Sequence, residues 1–370
     1  MLSFDFSSVN KTLNNCFVII ASPAFRKNGD SFDINGELDV FLGYIHFFRA
    51  LAILFIVCGH TIDTFSWNNE SLERTLRIFV CNGSVLFVFI AGYLFQHLSG
   101  KFSALNYYRT KIKNVIVPYL IISVPAIIAF VLFFPRDNMW DGFYDNSWWQ
   151  QVILFYLTGK HLAPLWFIPM IAIFYLVAPL LIKADRNALV YILLPFMVVG
   201  VGVISMNRGL PLQNFIYFLP VYLLGMFCSH YRLKLNPLIK SIVFLLVSAG
   251  LVLVFGVYEL FYSDDTMGYE NYLQKLAMSL FFLGLFIRFN EHLTSKFVGR
   301  IADTSFGVFF IHSYFITAGR MAYQHIMGVP PAGNIFIYLL MGFGTLLFCV
   351  YLITLAQRIF GSRSRMLVGS

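Results

Sequence analysis

Long apolar stretches, separated by short polar and basic segments, dominate the chain from residue 44 onward. A helix that crosses a membrane needs about 20 consecutive, mostly apolar residues. Windows of that length predict ten spans, at 44–66, 78–98, 114–134, 164–183, 188–206, 212–230, 238–261, 270–289, 303–325 and 334–357. The pattern therefore predicts an all-α integral membrane protein with about ten transmembrane helices.

Composition agrees with this class. Of the 370 residues, 59% are hydrophobic and only 12% are charged, whereas a soluble domain has about 25% charged residues. A net charge of +8 would suggest a nucleic-acid partner only if the basic residues clustered on a folded surface. They are instead spread over alternating loops, so we predict no nucleic-acid partner. The five cysteines show no paired or zinc-like spacing, so neither disulfides nor a metal site is predicted.

The distribution of basic residues predicts the orientation in the membrane. Cytoplasmic loops carry the excess of Lys and Arg. With ten spans both chain ends lie on one side, and the loops and ends of that side carry eighteen Lys and Arg, against five on the other. Both ends are therefore predicted to be cytoplasmic. We divide the chain into an N-terminal extension at 1–41, a multi-pass domain at 42–360 and a tail at 361–370.

The most informative polar pair lies in the first predicted span. Arg49 and His60 are eleven residues apart, which places both side chains on one helix face, about 16 Å apart along the axis. A charged side chain at bilayer depth is costly, so it normally faces a protein interior or a wet cavity and marks function. The alternative is an arginine paired for packing and a histidine that is hydrogen-bonded in the core.

These residue types fit the transfer of an acyl group. An imidazole can take the proton of an attacking hydroxyl, and a guanidinium can bind phosphate oxygens through two donors. We interpret Arg49 as a ligand of the phosphates of an acyl-CoA, and His60 as a general base or as the carrier of an acyl group. Asp63, three residues after His60, is either an orienting carboxylate or a solvated residue at the helix end.

A second polar group lies in the ninth predicted span. Asp303, Thr304 or Ser305 is expected to cap the start of this helix. His312 lies seven residues beyond Ser305, on the same helix face. A second histidine at membrane depth favours a lined cavity, but a hydrogen-bonded structural histidine explains it equally well.

At these positions the chain resembles the membrane-bound acyltransferase family 3, bacterial enzymes that O-acylate surface polysaccharides and related glycans. The hallmark of the family is an Arg, ten residues and a His in the first span, here Arg49-ALAILFIVCG-His60. Further similar segments are NGSVLFVFIAGYLF, YYRTKIKNVIVPY, PLWFIPMIAIFYLVAPL and SFGVFFIHSYF. Many members have two arginines three apart in the basic segment, where this chain has Arg109, Lys111 and Lys113.

The resemblance implies a multi-pass enzyme of the bacterial inner membrane. It would move an acyl group, acetyl above all, from cytoplasmic acyl-CoA to a hydroxyl of a surface or lipid-linked glycan, with acetyl-CoA as co-substrate and without a metal. Besides the bilayer lipid, its partners would be this donor and the glycan. The expected site residues are His60 and Asp63 for catalysis; Arg49, Arg109, Lys111 and Lys113 for the donor; and Trp166, Ser305 and His312 for the acceptor.

A transporter or flippase for a lipid-linked saccharide is the alternative, because intramembrane Arg and His also line transport paths. Transporters often contain internal repeats, and the sequence shows none.

Overall fold

The computed structural model describes residues 43–136, 139–204, 210–263, 268–293 and 295–370. The predicted extension at 1–41 lies outside the described residues. Two short strands, β1 (Ser66–Trp67) and β2 (Ala332–Gly333), pair in parallel. The α-helices are α1 (Gly43–Ile62), α2 (Glu70–Val80), α3 (Ser84–His97), α4 (Ala104–Lys111), α5 (Val117–Leu132), α6 (Trp148–Thr158), α7 (Phe167–Leu176), α8 (Ala178–Asn187), α9 (Leu194–Gly200), α10 (Pro211–His230), α11 (Arg232–Ile239), α12 (Ile242–Tyr262), α13 (Tyr269–Arg288), α14 (Lys296–Met327), α15 (Ile335–Phe360) and α16 (Ser364–Val368).

Within these described ranges, six helical runs are long and apolar enough to cross a membrane. They are Gly43–Ile62, Glu70–His97, Ala104–Leu132, Pro211–His230, Ile242–Tyr262 and Ile335–Val368. A seventh is added if α7 and α8, which are bent by 59° against each other, count as one span. The all-α membrane class is thus confirmed. The other three predicted windows lie on shorter or more polar helices, so a count of ten stays a prediction.

Helix α1 is the central element of the fold, since it packs against α2, α3, α13, α14 and α15. Its buried residues include Phe48 and Ile53, with no exposed surface. Because helices from distant parts of the chain surround it, polar side chains on α1 face protein rather than lipid. This is the setting in which a membrane helix tolerates Arg49 and His60.

Glycines allow α3 and α10 to cross closely. A Cβ added at Gly92 would lie 2.0 Å from the carbonyl oxygen of Tyr222, and one at Gly225 would lie 2.1 Å from that of Phe89. Only glycine leaves room for these backbones, which is how small residues usually act between membrane helices. The crossing fixes α3 beside the region where the candidate site lies.

The structure corrects one predicted helix start. Helix α14 begins at Lys296, where the side chain of Ser295 accepts a hydrogen bond from the amide of Val298. The expectation that Asp303, Thr304 or Ser305 caps this helix was wrong, because the helix already runs through them. The residues predicted as a tail, 361–370, contain the short helix α16, which packs against α5, α14 and α15.

Candidate active site

Two cavities adjoin the same side of α1. The first, here called the arginine cavity, is an open space of about 850 Å³ bordered by Arg49, Lys111 and Ser305 and otherwise by mostly apolar and aromatic side chains. The second, the histidine cavity, is an open space of about 720 Å³ whose borders include His60, Asp63 and Trp166.

Arg49 is held in the wall of the arginine cavity. The side chain is buried, and its Nη2 donates to the hydroxyl of Ser305 at 3.1 Å. That hydroxyl in turn donates to the carbonyl of Ala302 at 2.7 Å. The serine is therefore oriented as an acceptor for the guanidinium, and it links α1 to α14.

Lys111 reaches the arginine cavity from the end of α4. A π-helical turn, Ile112–Ile116, joins α4 to α5 at this point, and such turns are frequent at functional sites. The Lys111 ammonium lies 4.7 Å from the ring centroid of Tyr175 and 5.3 Å from that of Tyr107. These cation–π contacts stabilise a second positive charge in the cavity that contains Arg49.

His60 lies near the other end of α1, beside a second histidine. The ring centroids of His60 and His312 are 5.4 Å apart. His312 is fully buried, and its Nδ1 lies 2.9 Å from the carbonyl oxygen of Val308. Because a carbonyl only accepts, Nδ1 carries the hydrogen and the Nε2 of the neutral ring is an acceptor. Among the described residues this buried Nε2 has no hydrogen-bond partner.

Asp63 is the first residue after α1, and its carboxylate contacts an arginine. Oδ1 of Asp63 lies 2.7 Å from Nη1 of Arg77, and Nη2 of the same arginine lies 2.8 Å from Oε1 of Glu73. The Asp63 side chain is 60% exposed, so this ion pair is at the surface of the histidine cavity. Trp166 borders the same cavity and is buried by stacking on Phe218, with 5.8 Å between ring centroids.

Phe167 borders both cavities. Its ring centroid is 5.3 Å from that of Phe309, which borders the histidine cavity. The two phenyl rings therefore stand between the space at Arg49 and the space at His60.

The structure does not bring every expected donor residue to the arginine cavity. Arg109 and Lys113 are exposed, and in the part of the chain that the structure describes neither residue borders either cavity. Each is two residues from Lys111, which is about 200° around a helix. Since Lys111 points inward, its neighbours point away, and their contact with a donor stays a prediction.

A model of a protein family, described as an acyltransferase domain, matches residues 42–354. The chain belongs to acyltransferase family 3. No curated protein and no solved structure resembles the chain closely enough to count as a match. The resemblance found in the sequence is thereby confirmed, and the protein is an acyltransferase, an enzyme with an acyl donor and an acceptor.

Sequence reasoning missed two residues that border the histidine cavity of this acyltransferase, Arg77 and Asn82. Arg77 was counted only as a basic residue of a loop. Asn82 has a positive φ of 60° and lies in the break between α2 and α3. The Asn82–Gly83 pair inside an apolar stretch was the available signal, because such pairs interrupt helices.

Proposed function

We propose that this acyltransferase takes an acyl group, above all acetyl, from cytoplasmic acyl-CoA and transfers it to a hydroxyl of a surface or lipid-linked glycan in the bacterial inner membrane. The observation that carries the proposal is the pair of cavities on one side of α1. Arg49 borders one cavity, His60 borders the other, and Phe167 borders both. A site for the donor and a proton acceptor thus lie in two cavities that meet at Phe167.

The arginine cavity suits the donor. Arg49 and Lys111 supply two cationic groups, and phosphate oxygens are the ligands that such groups bind best. The mostly apolar and aromatic walls, which include Tyr175, suit the pantetheine arm that separates the phosphates of CoA from its thioester. Ser305 keeps the guanidinium in position for this contact.

The histidine cavity suits the acceptor and the reaction. The imidazole of His60 takes the proton from an acceptor hydroxyl as its oxygen attacks the thioester carbonyl carbon. The C–S bond then breaks, and the CoA thiolate takes up the proton from the imidazolium. The products are an O-acyl ester and free CoA. We assign His312 a positioning role, because its ring lies 5.4 Å from that of His60 and its Nε2 is an acceptor towards which the other N–H of His60 can turn when the acceptor hydroxyl binds.

The same cavity has groups that recognise sugars. Trp166 supplies an aromatic face for a sugar ring, and Asp63 with Arg77 supplies hydrogen-bond acceptors and donors for hydroxyls. Their ion pair at 2.7 Å, with Glu73 on the same arginine, holds both side chains in place when no glycan is bound. These contacts favour a polar, hydroxyl-bearing acceptor.

Sealed membrane vesicles of both orientations test the proposal. Radiolabelled acetyl-CoA is added to vesicles that contain the protein and the glycan of the host, and the label in the glycan is measured. We expect labelled glycan when the donor reaches the cytoplasmic face, and none from vesicles that lack the protein. Labelling only from the opposite face would contradict the orientation. Movement of unlabelled glycan without acyl transfer would support a flippase instead.

A further inference from the structure

We propose that the rings of Phe167 and Phe309, here called the phenyl partition, select the acyl group of the donor. The partition admits short, uncharged acyl groups such as acetyl and rejects charged ones such as succinyl. This inference rests on the proposed function, since it concerns the passage of the donor from Arg49 towards His60.

The partition lies on the path between the two cavities. Phe167 borders both of them, and Phe309 packs on it from the side of the histidine cavity. Phe309 also contacts two rings that border the arginine cavity, Phe306 at 6.1 Å and Phe87 at 6.5 Å between centroids. Aromatic rings thus fill the space through which a thioester bound near Arg49 must reach His60.

Helix α14 orders the groups along this path. Ser305 and Phe306 border the arginine cavity, Phe309 borders the histidine cavity, and His312 contacts His60. The seven residues from Ser305 to His312 correspond to about 10 Å along the helix axis. Phe309 lies between them, so an acyl group that moves along α14 meets this ring before it meets the histidines.

The partition is buried and closely packed. Phe167 is 5% exposed and Phe309 is 3% exposed. The neighbour of Phe167, Trp166, stacks on Phe218 at an interplanar angle of 25°, which restricts the start of α7. Protein interiors of this density respond to a change of a single methylene, so each added carbon of an acyl group requires further displacement of the rings.

Charge adds a second criterion. A carboxylate that enters a space between phenyl rings loses its hydration, and transfer of an unpaired ion into such surroundings is strongly unfavourable. Arg49 and Lys111 both border the arginine cavity and would attract a succinyl carboxylate to the wrong side of the partition. Size and charge therefore both favour acetyl over succinyl.

A series of donors tests this selection. The wild type and the variants Phe309→Ala, Phe167→Ala and Phe309→Leu are compared by kcat/KM with acetyl-CoA, butyryl-CoA and succinyl-CoA. Ratios between donors are measured on one protein sample, so the fraction of folded protein cancels. Phe336→Ala is the matched control, because this ring is 81% exposed on α15 and borders neither cavity in the described part of the chain.

We expect the wild type to prefer acetyl over butyryl by about tenfold or more, as hydrophobic sites do for added methylenes. The two alanine variants should raise the butyryl-to-acetyl ratio by about tenfold, Phe309→Leu by less, and Phe336→Ala not at all. In the three variants of the phenyl partition, the succinyl-to-acetyl ratio of kcat/KM should rise less than the butyryl-to-acetyl ratio.

An unchanged ratio in active alanine variants, or a wild type that uses succinyl-CoA as well as acetyl-CoA, would overturn the selection. The proposed function would survive either result. A wild type that transfers none of the three groups would instead overturn the proposed function.

Discussion

Arg49 and Lys275 are both buried cations in helices of this acyltransferase, and they differ in what surrounds them. The Lys275 ammonium donates to the carbonyls of Ile78 at 2.6 Å and Phe79 at 3.1 Å, and to Gln274 Oε1 at 2.7 Å. These bonds use all three of its hydrogens. The two carbonyls lie at the C-terminal end of α2, where unpaired carbonyls and the helix dipole attract a cation.

Arg49 lies in different surroundings, because it borders a cavity. Lys275 is absent from the described borders of both cavities and is fully buried among protein groups. A charge inside a membrane helix is thus a poor guide to function by itself. The informative property is whether protein encloses the charged group or the group borders a space that a ligand can enter.

Among the substitutions that test the difference between Arg49 and Lys275, replacement of Arg49 should cause the largest loss of kcat/KM. Arg49→Met removes the guanidinium that we propose binds the donor phosphates, so kcat/KM for acetyl-CoA should fall about 100-fold or more. Arg49→Lys keeps the charge but loses the two-donor geometry, so its kcat/KM should lie between those of the wild type and Arg49→Met. Steady-state kinetics in detergent check both variants. Wild-type kinetics in Arg49→Met would show that this arginine is structural, like Lys275.

His312→Phe should have the next largest effect. The variant keeps the ring but removes the Nε2 acceptor, so kcat should fall about tenfold. KM for acetyl-CoA should stay unchanged, because the arginine cavity is intact. His312→Gln, which restores an acceptor, should recover part of kcat. An equal loss of kcat in the Phe and Gln variants would argue against a positioning role.

Ser305→Ala should weaken donor binding modestly. Loss of one neutral acceptor of the Arg49 guanidinium corresponds to about 1 kcal/mol, or about fivefold in KM for acetyl-CoA, with kcat unchanged. Isothermal titration calorimetry with CoA measures the dissociation constant of the donor site independently. If Ser305→Ala lowered kcat and left donor binding unchanged, the serine would belong to the acyl-transfer step.

Lys275→Met should have the smallest effect on turnover and a clear effect on stability. It removes the Lys275 donor from the buried carbonyls of Ile78 and Phe79, of which Ile78 keeps a hydrogen bond from Asn271, and this loss costs about 1–3 kcal/mol. A thermal melt should therefore shift to lower temperature, while kcat per folded molecule stays within about twofold. A variant with normal stability and a raised KM for acetyl-CoA would remove the distinction between the two cations.

The sequence predicted the membrane class and the main polar pair because both depend on local spacing. A run of about 20 apolar residues identifies a span, and eleven residues put Arg49 and His60 on one helix face. The roles of Lys275 and Arg49 could not be separated in this way. Both are single charges in apolar helices, and only the packing of α2 against α13 provides the carbonyls that bind Lys275.

The donor side was predictable only in part, for a related reason. Arg109, Lys111 and Lys113 form one basic segment in the sequence. Which of them points inward depends on the turn between α4 and α5, and on the tyrosines that the fold brings to it. Likewise, the contact between His60 and His312 joins α1 to α14 across more than half of the chain, and periodicity within a helix carries no information on it.

The rate of acetyl transfer by His60→Ala tests the central claim most directly. The matched control is His325→Ala, which removes an exposed histidine of α14. With equal amounts of folded protein in the membrane, His60→Ala should lose about 100-fold or more of the wild-type rate, as expected for a lost general base, and should still bind CoA. His325→Ala should match the wild type. Transfer at the wild-type rate by His60→Ala would contradict the account.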